Sequence, residues 1–142
     1  MEFGTVRRKK RWVFPLCLGL SALFLLICTK SSFFYPLNDW VDVDIYFTIG
    51  KGMMHGHVPY TDLYDQKGPT AFLLYGLASL VSGESFLGVY LLETISFAFF
   101  LFAIYKIASL YVKDGALIIL PVVSAAVLGS LSFSHGGSFE EL

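Results

Sequence analysis

Residues 70–82 read TAFLLYGLASLVS, thirteen residues without a charge. As a helix they rise about 20 Å, short of the roughly 30 Å hydrocarbon core of a bilayer. Whether this stretch crosses a membrane decides the layout of everything around it. If it spans, the linker carrying Lys106 and Lys113 lies outside. If it lies at the interface or is re-entrant, that linker is cytoplasmic and the basic clusters near span ends share one side, as the positive-inside rule favours. The second layout is the expected one.

Composition places the chain in a membrane. Of 142 residues 56% are hydrophobic, 17% aromatic and 15% charged, and the mean hydropathy is +0.68, well beyond the usual soluble range. The net charge of −1 says little by itself, and no nucleic-acid partner is expected. Its layout is informative: Arg7, Arg8, Lys9, Lys10 and Arg11 hold five of the ten Lys+Arg immediately before the first apolar run, an N-terminal anchor on the cytoplasmic side. That run has no small-x-small cleavage pattern after it, and reads as an uncleaved anchor rather than a signal peptide. Cys17 and Cys28 are eleven residues apart, about 16 Å along a helix, too far to bridge each other.

The expected fold is therefore an all-α membrane protein of one domain, 1–142, with three transmembrane helices and two short juxtamembrane helices in a long outer loop. Residues 1–11 form a cytoplasmic basic tail, 12–29 the first span, 86–105 the second and 116–133 the third, followed by an outer tail, 134–142. The outer loop, 30–85, carries interfacial helices near 43–54 and 70–82. Trp40, Tyr46, Phe47, Tyr60 and Tyr64 are expected at headgroup level. The location implied is an integral membrane one, N-terminus on the cytoplasmic side.

The loop is rich in polar chemistry, with Asp39, Asp42, Asp44, Asp62, Asp65 and Glu84 against Lys30, Lys51 and Lys67. Two acids at the start of a short helix serve commonly as capping and dipole partners. Asp62 and Asp65, beside Pro59 and Gly68, fit turns. Lys67 suits a headgroup anchor, and His55 with His57, an H-x-H within a Gly/Pro turn, faces solvent more often than zinc. Glu93 is different. A carboxylate within a span is expensive, so it faces other helices or water and marks a structural or functional pivot. With Pro121 in the third run, it also gives slight support to a transporter piece.

The order WVDVDIYFTIGKGMMHGHVPYTDLYDQKGPTAFLLYGLA resembles the first outer loop of bacterial GT-C membrane glycosyltransferases, the group that includes protein O-mannosyltransferases and aminoarabinose transferases. The pieces that carry the likeness are Asp42 and Asp44 soon after the first span, the turn Gly52, Gly56, Pro59, Tyr60, Asp62, and the Lys67-Gly68-Pro69 that opens the next helix. The likeness covers about residues 33–80, with an echo at the terminal GGSFEEL. It implies transfer of a sugar from a polyprenyl-phosphate donor to an envelope acceptor at the outer membrane face. Asp42 is then the first choice for general base and Asp44 the second, either able to help hold Mg or Mn. Lys67 would meet the phosphate, and Tyr60, Glu140 and Glu141 would line the substrate cavity. Such enzymes have many more spans, so the chain is expected to be the N-terminal portion of one, inactive without its partner spans. The alternative is a small non-catalytic membrane subunit that docks through its outer loop.

Overall fold

The computed structural model describes residues 11–35, 37–112, 115–129 and 136–137. Five α-helices and no strands occur among them: α1 Val13–Cys28, α2 Val41–Met54, α3 Pro69–Ser79, α4 Leu87–Tyr111 and α5 Ile119–Leu128. The prolines fall where a helix tolerates them. Pro69 opens α3 after the extended Gly68, while Pro15 and Pro121 lie in the first turns of α1 and α5, where a missing N–H removes no intrahelical bond.

Among the described residues one helix, α4, is long and apolar enough to cross a membrane. Its 25 residues rise about 37 Å. The three expected spans are corrected on this point. α1 has 16 residues and α5 has 10, about 24 Å and 15 Å of rise, both less than a hydrocarbon core. α3, at 11 residues, is shorter still, so the stretch 70–82 does not supply a spanning helix. The expected third span, 116–133, begins as a turn before α5, and its last residues lie outside those described.

Two apolar clusters hold the helices. In the first, α1 packs along α4, with α5 against both: Val13, Cys17, Leu25, Phe97, Leu101 and Leu120 are buried together, and the Phe14 ring lies against Phe99 and Phe102 at 5.2 and 5.6 Å. In the second, α2 lies on α3 and both meet the start of α4, through Val43, Tyr46, Phe47, Ile49, Phe72, Tyr75 and Val89. Tyr46 and Phe47, expected at headgroup level, are instead core residues, 2% and 9% exposed. They follow the inward stripe of α2, a face that a reading of loop aromatics as interface anchors overlooks.

Small residues set how closely these helices approach. A Cβ added at Gly50 would come within 2.4 Å of the Gly76 nitrogen, and one at Gly88 within 1.9 Å of the Ala78 carbonyl oxygen. α2 thus meets α3, and α3 meets α4, backbone against backbone. Replacing Gly88 by Ala should cost about 1–3 kcal/mol through forced separation of α3 from α4. Gly19→Ala, with nothing within 4 Å of the added carbon, should instead be neutral or gain up to ~1 kcal/mol in helix propensity. Denaturant midpoints of the two variants in detergent micelles give the comparison.

Candidate functional site

The acids of α2 lie in its first turns, where negative charge complements the helix dipole. Trp40 precedes the helix without a side-chain cap. Two residues apart, Asp42 and Asp44 project about 200° from each other around the helix. Asp42 shares the side of Ile45, Tyr46 and Ile49 (i+3, i+4, i+7), whereas Asp44 shares the side of Val41 and Thr48 (i−3, i+4).

Asp44 opens onto a groove of about 280 Å³, walled by Val41, Ile45, Ile49, Leu63 and Tyr64, with Thr48 as a second polar group. Asp44 is itself exposed at the groove; partial desolvation there raises its pKa above the ordinary aspartate value, and the negative charge of Asp39 raises it further. The folded state therefore holds this proton more tightly than the unfolded chain does. Its contribution favours folding below the ordinary carboxylate pKa and is lost as pH rises through the elevated one. A carbon-detected carboxyl titration should give Asp44 a midpoint above the ordinary aspartate value, moving down in Asp39→Asn; an unmoved midpoint would remove Asp39 as a cause.

The segment between α2 and α3 is a compact turn. Asp62 accepts the Val58 N–H through Oδ2 at 2.8 Å, and its own N–H returns to the Val58 carbonyl at 3.0 Å. Tyr60 takes a positive φ of 69° and donates its N–H to the Leu63 carbonyl at 2.7 Å. Its hydroxyl donates to the Lys67 carbonyl at 2.5 Å, and its ring lies 5.9 Å from Phe72. Tyr60 thus anchors the turn to α3, and its hydroxyl is committed to backbone. The Lys67 ammonium sits over the Tyr46 ring, 5.8 Å from its centre, a cation–π contact. His55 bonds the Lys51 carbonyl through Nδ1 at 2.8 Å, and His57 approaches Asp62 at 3.8 Å.

The residues singled out from sequence therefore divide. Asp44 faces the groove with Tyr64 and Thr48, Lys67 and Asp42 belong to the Tyr46 side of α2, and Glu140 and Glu141 lie outside the described residues. With their carboxylates turned apart, Asp42 and Asp44 do not fit joint chelation of a Mg or Mn ion. Among the described residues no group of three His, Cys, Asp or Glu is placed to hold a metal.

A second polar centre lies inside the molecule, around Glu93, which is 3% exposed. Its Oε2 accepts the Thr29 hydroxyl at 3.0 Å, and its Oε1 accepts the Gly137 N–H. The Gly137 carbonyl in turn accepts the Tyr75 hydroxyl, and Asn38 Nδ2 donates to the Gly136 carbonyl at 3.1 Å. The end of α1, the following loop, α3 and α4 thus converge on two glycines. Both have positive φ, 69° and 75°, and a Cβ on Gly136 would fall 1.9 Å from Thr29 Oγ1. Only glycine fits there. Sequence reasoning marked Glu93 as a pivot but had no signal for partners 44 and 64 residues away.

No protein-family model, no curated protein and no solved structure matches this chain. The Glu93 centre makes its own expectation. Glu93→Ala strands the Gly137 N–H and the Thr29 hydroxyl, at about 1–3 kcal/mol for each buried donor. Glu93→Gln retains one acceptor oxygen and should lose less. Amide exchange at Gly137 together with the unfolding midpoint reads both effects: fast exchange in Glu93→Ala, intermediate in Glu93→Gln.

Proposed function

We propose that this chain is part of an integral membrane glycosyltransferase of GT-C type, the N-terminal portion by its likeness to the first outer loop of such enzymes. Its α2–α3 face contributes to the site that moves a sugar from a polyprenyl-phosphate donor to an envelope acceptor. In this reading α4 spans the bacterial cytoplasmic membrane with α1 and α5 embedded beside it, the basic N-terminal stretch is cytoplasmic, and α2, α3 and the turn between them lie at the outer face. The observation that carries the proposal is the place of Asp44: a carboxyl on the lining of a groove with apolar walls, which also raises its pKa. A base is more effective as its pKa approaches the working pH. Asp44, which lines the groove where Asp42 does not, therefore takes precedence over Asp42.

The transfer balances with these groups. An acceptor hydroxyl attacks the anomeric carbon, its proton passes to the Asp44 carboxylate, and the bond from that carbon to the phosphate oxygen breaks with the electron pair leaving on the lipid phosphate. Lys67 supplies positive charge for that phosphate. No step is routed through a metal ion.

The test is lipid binding by the chain reconstituted in phosphatidylcholine vesicles. A photoactivatable polyprenyl phosphate should label the 58–67 turn and α2, with displacement by unlabelled polyprenyl phosphate and several-fold weaker labelling in Lys67→Gln. Equal displacement by phosphatidylglycerol, or undiminished labelling of Lys67→Gln, would overturn the assignment.

A further inference from the structure

The loop that leaves α1 is inside out by the standards of a loop in water. Its small polar side chains are turned inward: Thr29, Ser31 and Ser32 are all buried, as is Asn38. Its large apolar side chains are turned outward, with Phe33, Phe34 and Leu37 exposed at 66%, 61% and 77%, and the two Phe rings stand 4.8 Å apart. Isolated exposed apolar side chains are common on soluble proteins, but a contiguous group on a loop with inward-facing polar residues marks a contact surface.

Three observations identify what covers it. First, the exposed stripe of α1, Leu16, Leu23 and Ile27, runs along one arc of the helix at i, i+7 and i+11 and ends where the loop begins. Second, the loop satisfies the carbonyls that a helix end leaves open. The Leu25 carbonyl accepts the Thr29 N–H at 3.0 Å, the Leu26 carbonyl accepts the Ser32 hydroxyl at 2.8 Å, and the Ile27 carbonyl accepts the Tyr35 hydroxyl at 3.1 Å. Internal satisfaction of backbone groups is what immersion in lipid demands, and water does not require it. Third, the charges flanking the loop neutralise each other, Lys30 Nζ lying 2.6 Å from Asp39 Oδ1.

Length supplies the reason for such a loop. α1 falls about 6 Å short of a hydrocarbon core, roughly one helical turn. A helix too short for its bilayer must thin the membrane or extend its apolar surface by other means. We propose that Phe33, Phe34 and Leu37 form an aromatic wedge that inserts into the outer leaflet and completes the lipid-facing surface of α1. This inference rests on the membrane reading above, but not on the glycosyltransferase assignment. The wedge holds the start of α2 at a fixed depth through Asn38, whose Oδ1 accepts the Trp40 N–H at 3.1 Å.

Nitroxide labels test it, in a Cys17→Ala, Cys28→Ala background reconstituted in phosphatidylcholine–phosphatidylglycerol vesicles. Labels go at Phe34→Cys and Leu37→Cys, with Phe99→Cys on the exposed face of α4 as the lipid reference and Gln66→Cys as the aqueous one. The wedge predicts nickel-chelate accessibility at both loop sites several-fold below that at Gln66, with high oxygen accessibility like that at Phe99. Nickel accessibility equal to Gln66 overturns the wedge while leaving the membrane reading intact. Loop labels shielded from both reagents reveal a protein partner or a second copy, and overturn it too. A nickel-accessible Phe99 label would instead remove the membrane reading itself. Phe33→Ser/Phe34→Ser, which spares the loop's backbone bonds, should raise nickel accessibility at Leu37→Cys; no change would count against the wedge.

Discussion

A single carboxylate in the first third of a long apolar helix governs the arrangement of this protein. Glu93 cannot face hydrocarbon without great cost, so α4 must turn it toward groups that donate hydrogen bonds. Thr29 provides one from the end of α1 and the Gly137 backbone another. Tyr75 and Asn38 then hold the two glycines from the opposite side. The α2–α3 pair is thereby joined to the α1–α4 pair through polar contacts as well as through the apolar surfaces of Phe47 and Phe86, whose rings lie 5.0 Å apart. Each member is buried, so each depends on the others remaining in place.

The helical content was legible because long apolar runs bounded by Gly, Pro and charge leave few alternatives, and the inward stripe of α2 follows ordinary helical spacing. The number of helices able to span was not. A hydropathy run counts residues, but the run from Trp12 makes a helix of only 16 residues, too short for a hydrocarbon core, and 116–118 is a turn rather than helix. Tyr46 and Phe47 were misplaced because an aromatic side chain carries the same signal whether it meets a headgroup or another helix. Asp42 and Asp44 were legible as a pair but not as a divided one. Their separation emerges only once α2 is a helix with Thr48 and Tyr64 on one side and Tyr46 on the other.

That division bears on how the proposed chemistry is arranged. The groove beside Asp44 combines apolar walls with two polar groups, which suits an amphipathic ligand. The ammonium of Lys67 is held over the Tyr46 ring, on the α2–α3 side of the same helix. Tyr60, in its left-handed conformation, keeps the turn between them closed, with one hydrogen bond from its backbone and one from its hydroxyl.

The contact between α1 and α4 contains two side-chain bonds to backbone running in opposite senses. Ser21 on α1 donates to the Thr94 carbonyl at 2.8 Å, and Tyr90 on α4 donates to the Ala22 carbonyl at 2.9 Å. Sliding either helix by one turn, about 5.4 Å, would break both at once and strand two hydroxyls among apolar side chains. The pair therefore resists piston-like motion, and Thr29 at the end of α1 is held in register with the Glu93 carboxylate on α4 as if by a ratchet's teeth.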